Sequence, residues 1–165
     1  MKNKNVLFLT QSAMIAAIYV VLTVAFSAIS FGQVQVRVAE ALTILPVFTP
    51  AAIPGLFIGC LIGNSLSPSV ILPDIIFGSL TTLIAAIFTY KLRKASPLLA
   101  PLPPIVANTL VIPFILRYAY AIIAPIPILM LGLLAGQVIS CGILGLALHA
   151  ALNKYKSVIF KNYTE

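Results

Sequence analysis

The chain has 165 residues, of which 61% are hydrophobic and 8% are charged. A soluble domain carries about 25% charged residues, so this composition excludes an ordinary soluble fold. The net charge of +7 would suggest nucleic-acid binding in a soluble protein, but here the basic residues stand in short flanks between apolar runs, as they do in membrane proteins.

The apolar runs predict an all-α membrane protein with a single domain over residues 1–165. Runs such as 20–22 and 83–87 are apolar at every position, whereas a membrane β-strand alternates apolar and polar residues. A spanning helix needs roughly 20 residues, so the length allows six spans. We predict six transmembrane helices, at residues 6–29, 38–48, 52–66, 74–92, 104–123 and 127–152.

The first apolar run exceeds the roughly 7–15 residues of a signal-peptide core, so we expect it to be a true first helix. Ala13 and Ala17 in this run form a small-x-x-x-small pair, with Ala16 beside them. Small residues at this spacing let another helix approach closely. The three alanines therefore indicate either internal packing or an exterior docking site for a partner.

The second and third predicted segments are too short for ordinary upright spans, and they carry polar residues. The alternation of polar and apolar residues from Gln33 to Arg37 predicts an extended loop with one polar face. Arg37 and Glu40 are three residues apart and are expected to pair on one helix face. This pair either pins the loop or lets Glu40 present a carboxylate to a ligand while Arg37 orients it, because ionisable groups at membrane depth are expensive unless used.

Three further polar residues lie at or inside the predicted spans. Asp74 begins the fourth span and Asn64 ends the third, so each is either a helix cap or a ligand contact. Gln137 lies roughly 15 Å into the sixth span, where its amide must find a partner in the bundle or in a ligand.

Arg117, Tyr118 and Tyr120 lie near the outer end of the fifth span. Tyrosines at this depth either form an interfacial belt or stack on a ligand. Asn108 lies close to the cytoplasmic end of the same span and is expected to bond between helices. His149, near the inner end of the sixth span, is expected to be structural or interfacial.

The basic clusters fall on one side of the membrane if the chain has six spans. The positive-inside rule assigns that side to the cytoplasm, with both termini inside. Residues 30–37, 65–73 and 124–127 are then outside. The basic residues concerned are Lys2, Lys4, Lys91, Arg93, Lys94, Lys154, Lys156 and Lys161.

The sequence lacks a Walker phosphate loop, H-E-x-x-H and G-x-S-x-G, and it has one histidine. These absences argue against ATP hydrolysis and common hydrolytic catalysis in this chain. Cys60 and Cys141 lack the spacing of a zinc site or a disulfide framework and are expected to be buried free thiols. We therefore expect no catalytic residue, no cofactor and no metal.

Residues 35–46 (QVRVAEALTILP) and 52–64 (AIPGLFIGCLIGN) resemble the QueT family, the queuosine-precursor S components of energy-coupling factor transporters. The resemblance continues through residues 74–79, 83–86 and 99–108. It implies a six-helix subunit of the bacterial cell membrane that binds its substrate from outside. It also implies docking, through first-helix alanines, on a membrane T component that is driven by two cytoplasmic ATPases.

The substrate that the resemblance implies is a 7-deazaguanine base or queuine. Its guanine-like edge offers two adjacent N–H donors to a carboxylate, for which Glu40 is the expected acceptor, with Asn64 and Gln137 as amide partners. A tyrosine would stack on the base, and Asp74 would meet the ammonium of an aminomethyl substrate. Gln137 departs from the acidic residue that the resemblance leads us to expect after Gly136, which favours a neutral base.

Two alternatives remain at this point. The chain could be an S component for another vitamin, such as thiamine, folate or pantothenate, because the fold does not set the cargo. It could instead be a membrane-embedded enzyme or a structural partner that binds no ligand.

Overall fold

A computed structural model describes residues 4–30, 35–67 and 71–160, and all regular secondary structure in that part is helical. The prediction of an all-α protein is therefore confirmed for the described residues, whereas Lys2, Gln33 and Lys161 lie outside them. The elements are α1 (Lys4–Ala25), α2 (Ser27–Ser30), a 3₁₀ helix (Val38–Val47), α3 (Ala52–Leu66), α4 (Leu72–Leu92), a 3₁₀ turn (Pro97–Leu99), α5 (Leu102–Tyr118), α6 (Ile126–Gln137), a π-helical stretch (Val138–Leu144), α7 (Gly145–Asn153) and α8 (Lys156–Ile159).

Three of the described helices are long and apolar enough to cross a bilayer. These are α1, α4 and the continuous helix Ile126–Asn153, which runs from α6 through the π-helical stretch into α7. The 3₁₀ helix, α3 and α5 are apolar but shorter. At 1.5 Å per residue, the 15 residues of α3 reach only about 22 Å, against about 30 Å of hydrocarbon. The chain is therefore built as a membrane protein from helices of unequal length.

The predicted second span is a 3₁₀ helix rather than an α-helix. Its ends show the i→i+3 pattern, with the Glu40 amide donating to the Arg37 carbonyl and the Phe48 amide donating to the Leu45 carbonyl. A 3₁₀ helix rises about 2.0 Å per residue, so its ten residues extend about 20 Å instead of about 15 Å. The tighter winding lets a short segment reach further along the bundle.

The predicted fifth span ends five residues too late. Helix α5 stops at Tyr118, because the Ala119 and Tyr120 amides both donate to the Ile115 carbonyl and close the last turn. Ala121 then adopts a positive φ of 52°, which an α-helix cannot accommodate. The prediction failed because no glycine or proline marks this end in the sequence.

Helices α1 and α3 pack closely along three glycines. Gly55, Gly59 and Gly63 face α1 at four-residue intervals, and a Cβ added at Gly59 would lie 2.8 Å from the Tyr19 Cβ and 3.1 Å from the Ala16 Cα. This is the close approach that small residues permit between membrane helices. From the sequence, such close packing was predicted only for the alanines of the first span.

The bundle is apolar outside and partly polar inside. Large hydrophobic side chains such as Leu9, Val21, Phe77 and Leu131 are more than half exposed, which suits a lipid-facing surface. Two apolar clusters fill parts of the interior, one around Leu56 and Tyr19 and one around Ile112 and Leu133. Between the helices, the interior also holds buried polar side chains, and these form the site described next.

Candidate functional site

Glu40 is a buried carboxylate in the first turn of the 3₁₀ helix, with 2% of its surface exposed. The Asn108 amide donates to its Oε2 over 3.1 Å, and the Tyr19 hydroxyl donates to its Oε1 over 3.5 Å. A buried ion in a membrane protein is costly unless such donors surround it. Helices α1 and α5 thus each supply one donor to the carboxylate.

Two further residues complete what we term the Glu40 group: Glu40, Tyr19, Asn108, Gln137 and Cys141. The Asn108 amide also donates to the Gln137 Oε1 over 3.1 Å. The Cys141 thiol, one turn beyond, donates to the same oxygen over 3.2 Å and lies 3.7 Å from the Glu40 Oε2. The group therefore ties α1, the 3₁₀ helix, α5 and the last long helix together.

A second cluster, which we term the Asp74 group, consists of the buried residues Asp74, Arg37 and Asn64 and the half-buried Tyr120. Arg37 is 5% exposed, its Nη2 lies 3.6 Å from the Asp74 Oδ2, and its Nε donates to the Ser30 carbonyl over 3.1 Å. The Tyr120 hydroxyl donates to the same Asp74 oxygen over 3.2 Å. Burial raises the pKa of Tyr120 and the Asp74 carboxylate raises it further, so the phenol is a neutral donor.

The prediction that Arg37 and Glu40 lie on one helix face is wrong. Arg37 precedes the 3₁₀ helix in an extended conformation, with φ −94° and ψ 103°, so its side chain does not follow the helical spacing. Its ion-pair partner is Asp74 on α4. The ion pair therefore holds the segment that carries Arg37 against α4 rather than against the 3₁₀ helix that follows it.

The capping roles considered for Asp74 and Asn64 are also wrong. Helix α4 begins at Leu72 after Ile71, so Asp74 lies inside the first turn, and α3 continues past Asn64 to Leu66. The Asn64 amide donates to the Cys60 Sγ over 3.6 Å. The Asn64 Oδ1 and the Asp74 Oδ1 are buried without any hydrogen bond. Each side chain thus keeps one unused acceptor inside the protein.

Arg117 and Tyr118 lie apart from both groups. Arg117 is exposed and donates to the Ile122 carbonyl over 3.0 Å. Tyr118 is 74% exposed, and its ring stacks on Phe114 with centroids 6.5 Å apart. The structure does not bring either residue to the buried polar side chains, so both drop out of the proposed site. The interfacial alternative fits their exposure.

The three alanines of α1 divide between two faces. Ala13 and Ala17 are exposed, but Ala16 is buried against Gly59 of α3. Ala16 therefore belongs to an internal helix contact, which corrects its assignment to a docking surface. Ala13 and Ala17 remain available on the outer face of α1.

Gly136 fixes the position of the extended segment that carries Arg37. A Cβ added at Gly136 would overlap the Gln35 carbonyl group, so this backbone lies directly on the last long helix, next to Gln137. Only glycine permits so close an approach. Gln35, which belongs to the expected extended loop, therefore lies beside the Glu40 group.

Sequence reasoning left three members of these groups out of the site: Tyr19, Asn108 and Cys141. Asn108 does bond between helices, as expected, but its partners are Glu40 and Gln137. Its depth was underestimated because α5 begins at Leu102 rather than at residue 104, so Asn108 lies about 9 Å into the helix. The sequence did indicate an interior role for Asn108, because it places a single amide within an apolar run. Tyr19 and Cys141 offered no such indication beyond their polarity.

The groups described here suit hydrogen bonding and charge pairing rather than metal binding. Within residues 4–30, 35–67 and 71–160, no three His, Cys, Asp or Glu side chains stand together as metal ligands would. The two groups offer both hydrogen-bond donors and acceptors in the interior of the protein, which is the chemistry of a polar small-molecule site.

Comparisons with known proteins give a consistent result. Residues 9–154 match the QueT transporter family. A relative named queuosine precursor transporter QueT, from Lactococcus lactis subsp. cremoris strain MG1363, is 40% identical over 86 residues. That alignment covers 51% of this chain and 50% of the relative, so the match spans about half the length of that protein. No solved structure matches.

Proposed function

The chain belongs to the QueT transporter family, and we propose that it is the membrane subunit that captures a queuosine precursor, a 7-deazaguanine base or queuine, from outside the cell for import. The observation that carries this proposal is the Glu40 group, a buried carboxylate flanked by two amides. The name of the similar L. lactis protein supports the choice of substrate class.

The hydrogen-bond donors and acceptors of the Glu40 group complement those of a guanine-like edge. Such an edge presents two adjacent N–H donors and one carbonyl acceptor. The two oxygens of Glu40 can accept both donors side by side, the strong bidentate arrangement of a carboxylate. The Asn108 or Gln137 amide can turn an N–H toward the carbonyl, because each amide carries two donors. Substrate would replace hydrogen bonds that the side chains make with one another in this structure.

We extend the proposal to the remaining polar residues. Asn64, Asp74 and Arg37 form the neighbouring part of the site, and Tyr19 replaces Tyr118 as the tyrosine beside the Glu40 carboxylate, 3.5 Å away. The polar residues come from the 3₁₀ helix and the short helices α3 and α5 as well as from longer spans. Short segments leave part of the membrane thickness unfilled, where a ligand can enter.

We propose six spans in a single domain, with the basic clusters at the cytoplasmic face. The three long and three shorter apolar helices supply the six segments. Lys4, Lys91 and Lys154 then share the cytoplasmic side, as the positive-inside rule requires. The sequence carries no Walker motif, so we assign ATP hydrolysis to two cytoplasmic ATPases that act through a membrane T component. Ala13 and Ala17 form the proposed contact with that component.

Substrate binding tests the first part of the proposal. The purified protein should bind radiolabelled 7-deazaguanines, and Glu40→Gln should weaken binding by about 30-fold or more, because it leaves buried donors without a charged acceptor. The control is Lys154→Gln, which also introduces glutamine but at an exposed position, and this variant should bind substrate normally. Binding of thiamine, folate or pantothenate instead would identify another vitamin as cargo, and unchanged affinity in Glu40→Gln would remove Glu40 from the site.

Copurification tests the second part. When the chain is co-expressed with a T component and its ATPases, the three proteins should be recovered together with it. The double variant Ala13→Leu, Ala17→Leu should reduce recovery of the partners while it leaves substrate binding intact, since both alanines face away from the polar groups. A chain that imports substrate into vesicles without these partners would overturn the assignment to an energy-coupling factor transporter.

A further inference from the structure

The Glu40 group contains one amide whose donors are not used. The Gln137 Oε1 accepts from the Asn108 amide over 3.1 Å and from the Cys141 thiol over 3.2 Å. Within the part of the chain that the structure describes, the Gln137 Nε2 donates no hydrogen bond, although the side chain is only 1% exposed. An amide nitrogen carries two N–H donors, so Gln137 keeps both of them for a ligand.

The Glu40 carboxylate fixes the direction of both amides in the group. A carboxylate only accepts hydrogen bonds, so the Asn108 side chain must turn its NH₂ group toward the Glu40 Oε2, 3.1 Å away. The same nitrogen lies 3.1 Å from the Gln137 side chain, which must therefore present its oxygen. Both N–H groups of Asn108 are then engaged, and Gln137 is the amide with free donors.

Cys141 holds the Gln137 oxygen from a second direction. Its thiol is 1% exposed and belongs to the π-helical stretch, a type of turn that is frequent at functional sites. The closest acceptor to the sulfur is the Gln137 Oε1 at 3.2 Å, whereas the Glu40 carbonyl and carboxylate oxygens lie 3.7 Å away. If the Gln137 amide turned over, its NH₂ group would face two donors and both hydrogen bonds would be lost.

We propose that Cys141 is a positioning residue, which together with Asn108 holds the Gln137 amide with its N–H groups toward the substrate, so that the site selects a base with a carbonyl beside its two N–H donors. This inference rests on the proposed function, in which the Glu40 group holds the guanine-like edge. It assigns the substrate carbonyl to Gln137 rather than to Asn108. A base with an amino group in place of the carbonyl would set donor against donor and be rejected.

The test compares 7-deazaguanine with 7-deaza-6-thioguanine, in which sulfur, a weak acceptor, replaces the carbonyl oxygen while both N–H donors remain. Isothermal titration with the full chain in nanodiscs gives the two dissociation constants. The parent protein should bind 7-deazaguanine about 5- to 10-fold more tightly, which corresponds to one neutral hydrogen bond. Gln137→Met keeps the length of the side chain without its amide and should bring this ratio close to one.

Two variants of Cys141 separate positioning from packing. Cys141→Ala leaves Asn108 alone to hold the amide, so the ratio should fall by about two- to fourfold. Cys141→Ser again places a donor beside the Gln137 oxygen and should restore the ratio of the parent protein. The matched control is Cys60→Ala, which also removes a buried thiol, but one whose hydrogen-bond partners are Asn64 and Thr82. This control should keep the ratio of the parent protein.

The outcomes separate the two claims. If neither ligand binds to the parent protein, the proposed function fails, and this inference fails with it. If both ligands bind equally well, only the inference is overturned. An unchanged ratio in Cys141→Ala would remove Cys141 from its positioning role. An equal fall in Cys60→Ala, or a failure of Cys141→Ser to restore the ratio, would show that lost packing explains the effect and would overturn that role as well.

Discussion

The Glu40 group and the Asp74 group are both buried, but they use their hydrogen-bonding capacity differently. In the Glu40 group, both carboxylate oxygens and the Gln137 carbonyl oxygen accept hydrogen bonds from side chains of other turns or helices. In the Asp74 group, Asn64 and Asp74 each keep an acceptor that nothing satisfies. A satisfied network holds helices together, and an unsatisfied one is ready for a ligand. We expect the Glu40 group to hold the helices together as well as to bind the proposed substrate, whereas the two free acceptors of the Asp74 group add little to stability.

The largest expected effect comes from a substitution at Gly136 that disturbs both the Glu40 group and the Asp74 group. Gly136→Ala would drive a methyl group into the Gln35 carbonyl and push the segment that carries Arg37 off the last long helix. We expect a loss of stability of about 1–3 kcal/mol and no detectable substrate binding. Thermal unfolding and ligand titration in one detergent measure both effects.

Gly142→Ala is the matched control, because a Cβ there would meet only the Val138 Cγ1, at an ordinary 3.9 Å. It should leave stability and binding close to those of the parent protein. Equal behaviour of the two variants would show that the extended segment does not depend on Gly136.

The next largest effect sharpens the comparison directly. Asn108→Leu should lower stability by about 1–2 kcal/mol, because it removes the donor to both Glu40 and Gln137. Asn64→Leu removes an amide that, within the described part of the chain, donates to a sulfur over 3.6 Å and leaves its oxygen unbonded, so it should cost clearly less. Reversible unfolding in mixed micelles gives both values. An Asn64→Leu variant less stable than Asn108→Leu would contradict the division between the groups.

A smaller effect is expected at the edge of the Asp74 group. Tyr120→Phe deletes a hydroxyl that donates to Asp74 and accepts from the Ile71 amide. Hydrogen bonds between membrane helices average about 0.6 kcal/mol, so stability should fall by about that amount. Binding of the substrate should not weaken, because the change leaves the unbonded Asp74 Oδ1 as it is. A large loss of binding would place the Tyr120 hydroxyl in contact with the substrate.

The smallest effect is expected at Arg117 and Tyr118. Both side chains are exposed and remote from the two groups, so Arg117→Gln and Tyr118→Ala should change stability by no more than about 0.5 kcal/mol and leave ligand affinity unaltered. The same titrations measure this. A substantial loss of affinity in either variant would return that residue to the site.

Much of the architecture follows from sequence patterns, but the pairing of side chains does not. Composition predicts helices, and the cost of burying polar groups in a membrane singles out Glu40, Asn64, Asp74 and Gln137, all of which are buried. The partner of Arg37 could not be inferred, because it depends on an extended backbone that lies just outside a helix.

Errors in helix ends explain most of the remaining differences. Which of Tyr118 and Tyr120 reaches the polar groups depends on where α5 stops, and that stop is set by hydrogen bonds to the Ile115 carbonyl rather than by a glycine or proline. The apparent depth of Asn108 depends on where the same helix starts. An error of two residues moves a side chain by about 3 Å along a helix and changes which neighbours it reaches.

The burial of Glu40 and Asp74 also shapes the surface of the protein. They are the only acidic side chains in the described part of the chain, so the exposed charges there belong to lysine and arginine alone. A surface of this kind attracts anionic lipid headgroups, by about 1 kcal/mol for each basic residue close to the bilayer. Because both acidic side chains are buried, the exposed charges of the described residues are all positive, which should make the binding of anionic lipids such as phosphatidylglycerol around the protein sensitive to salt.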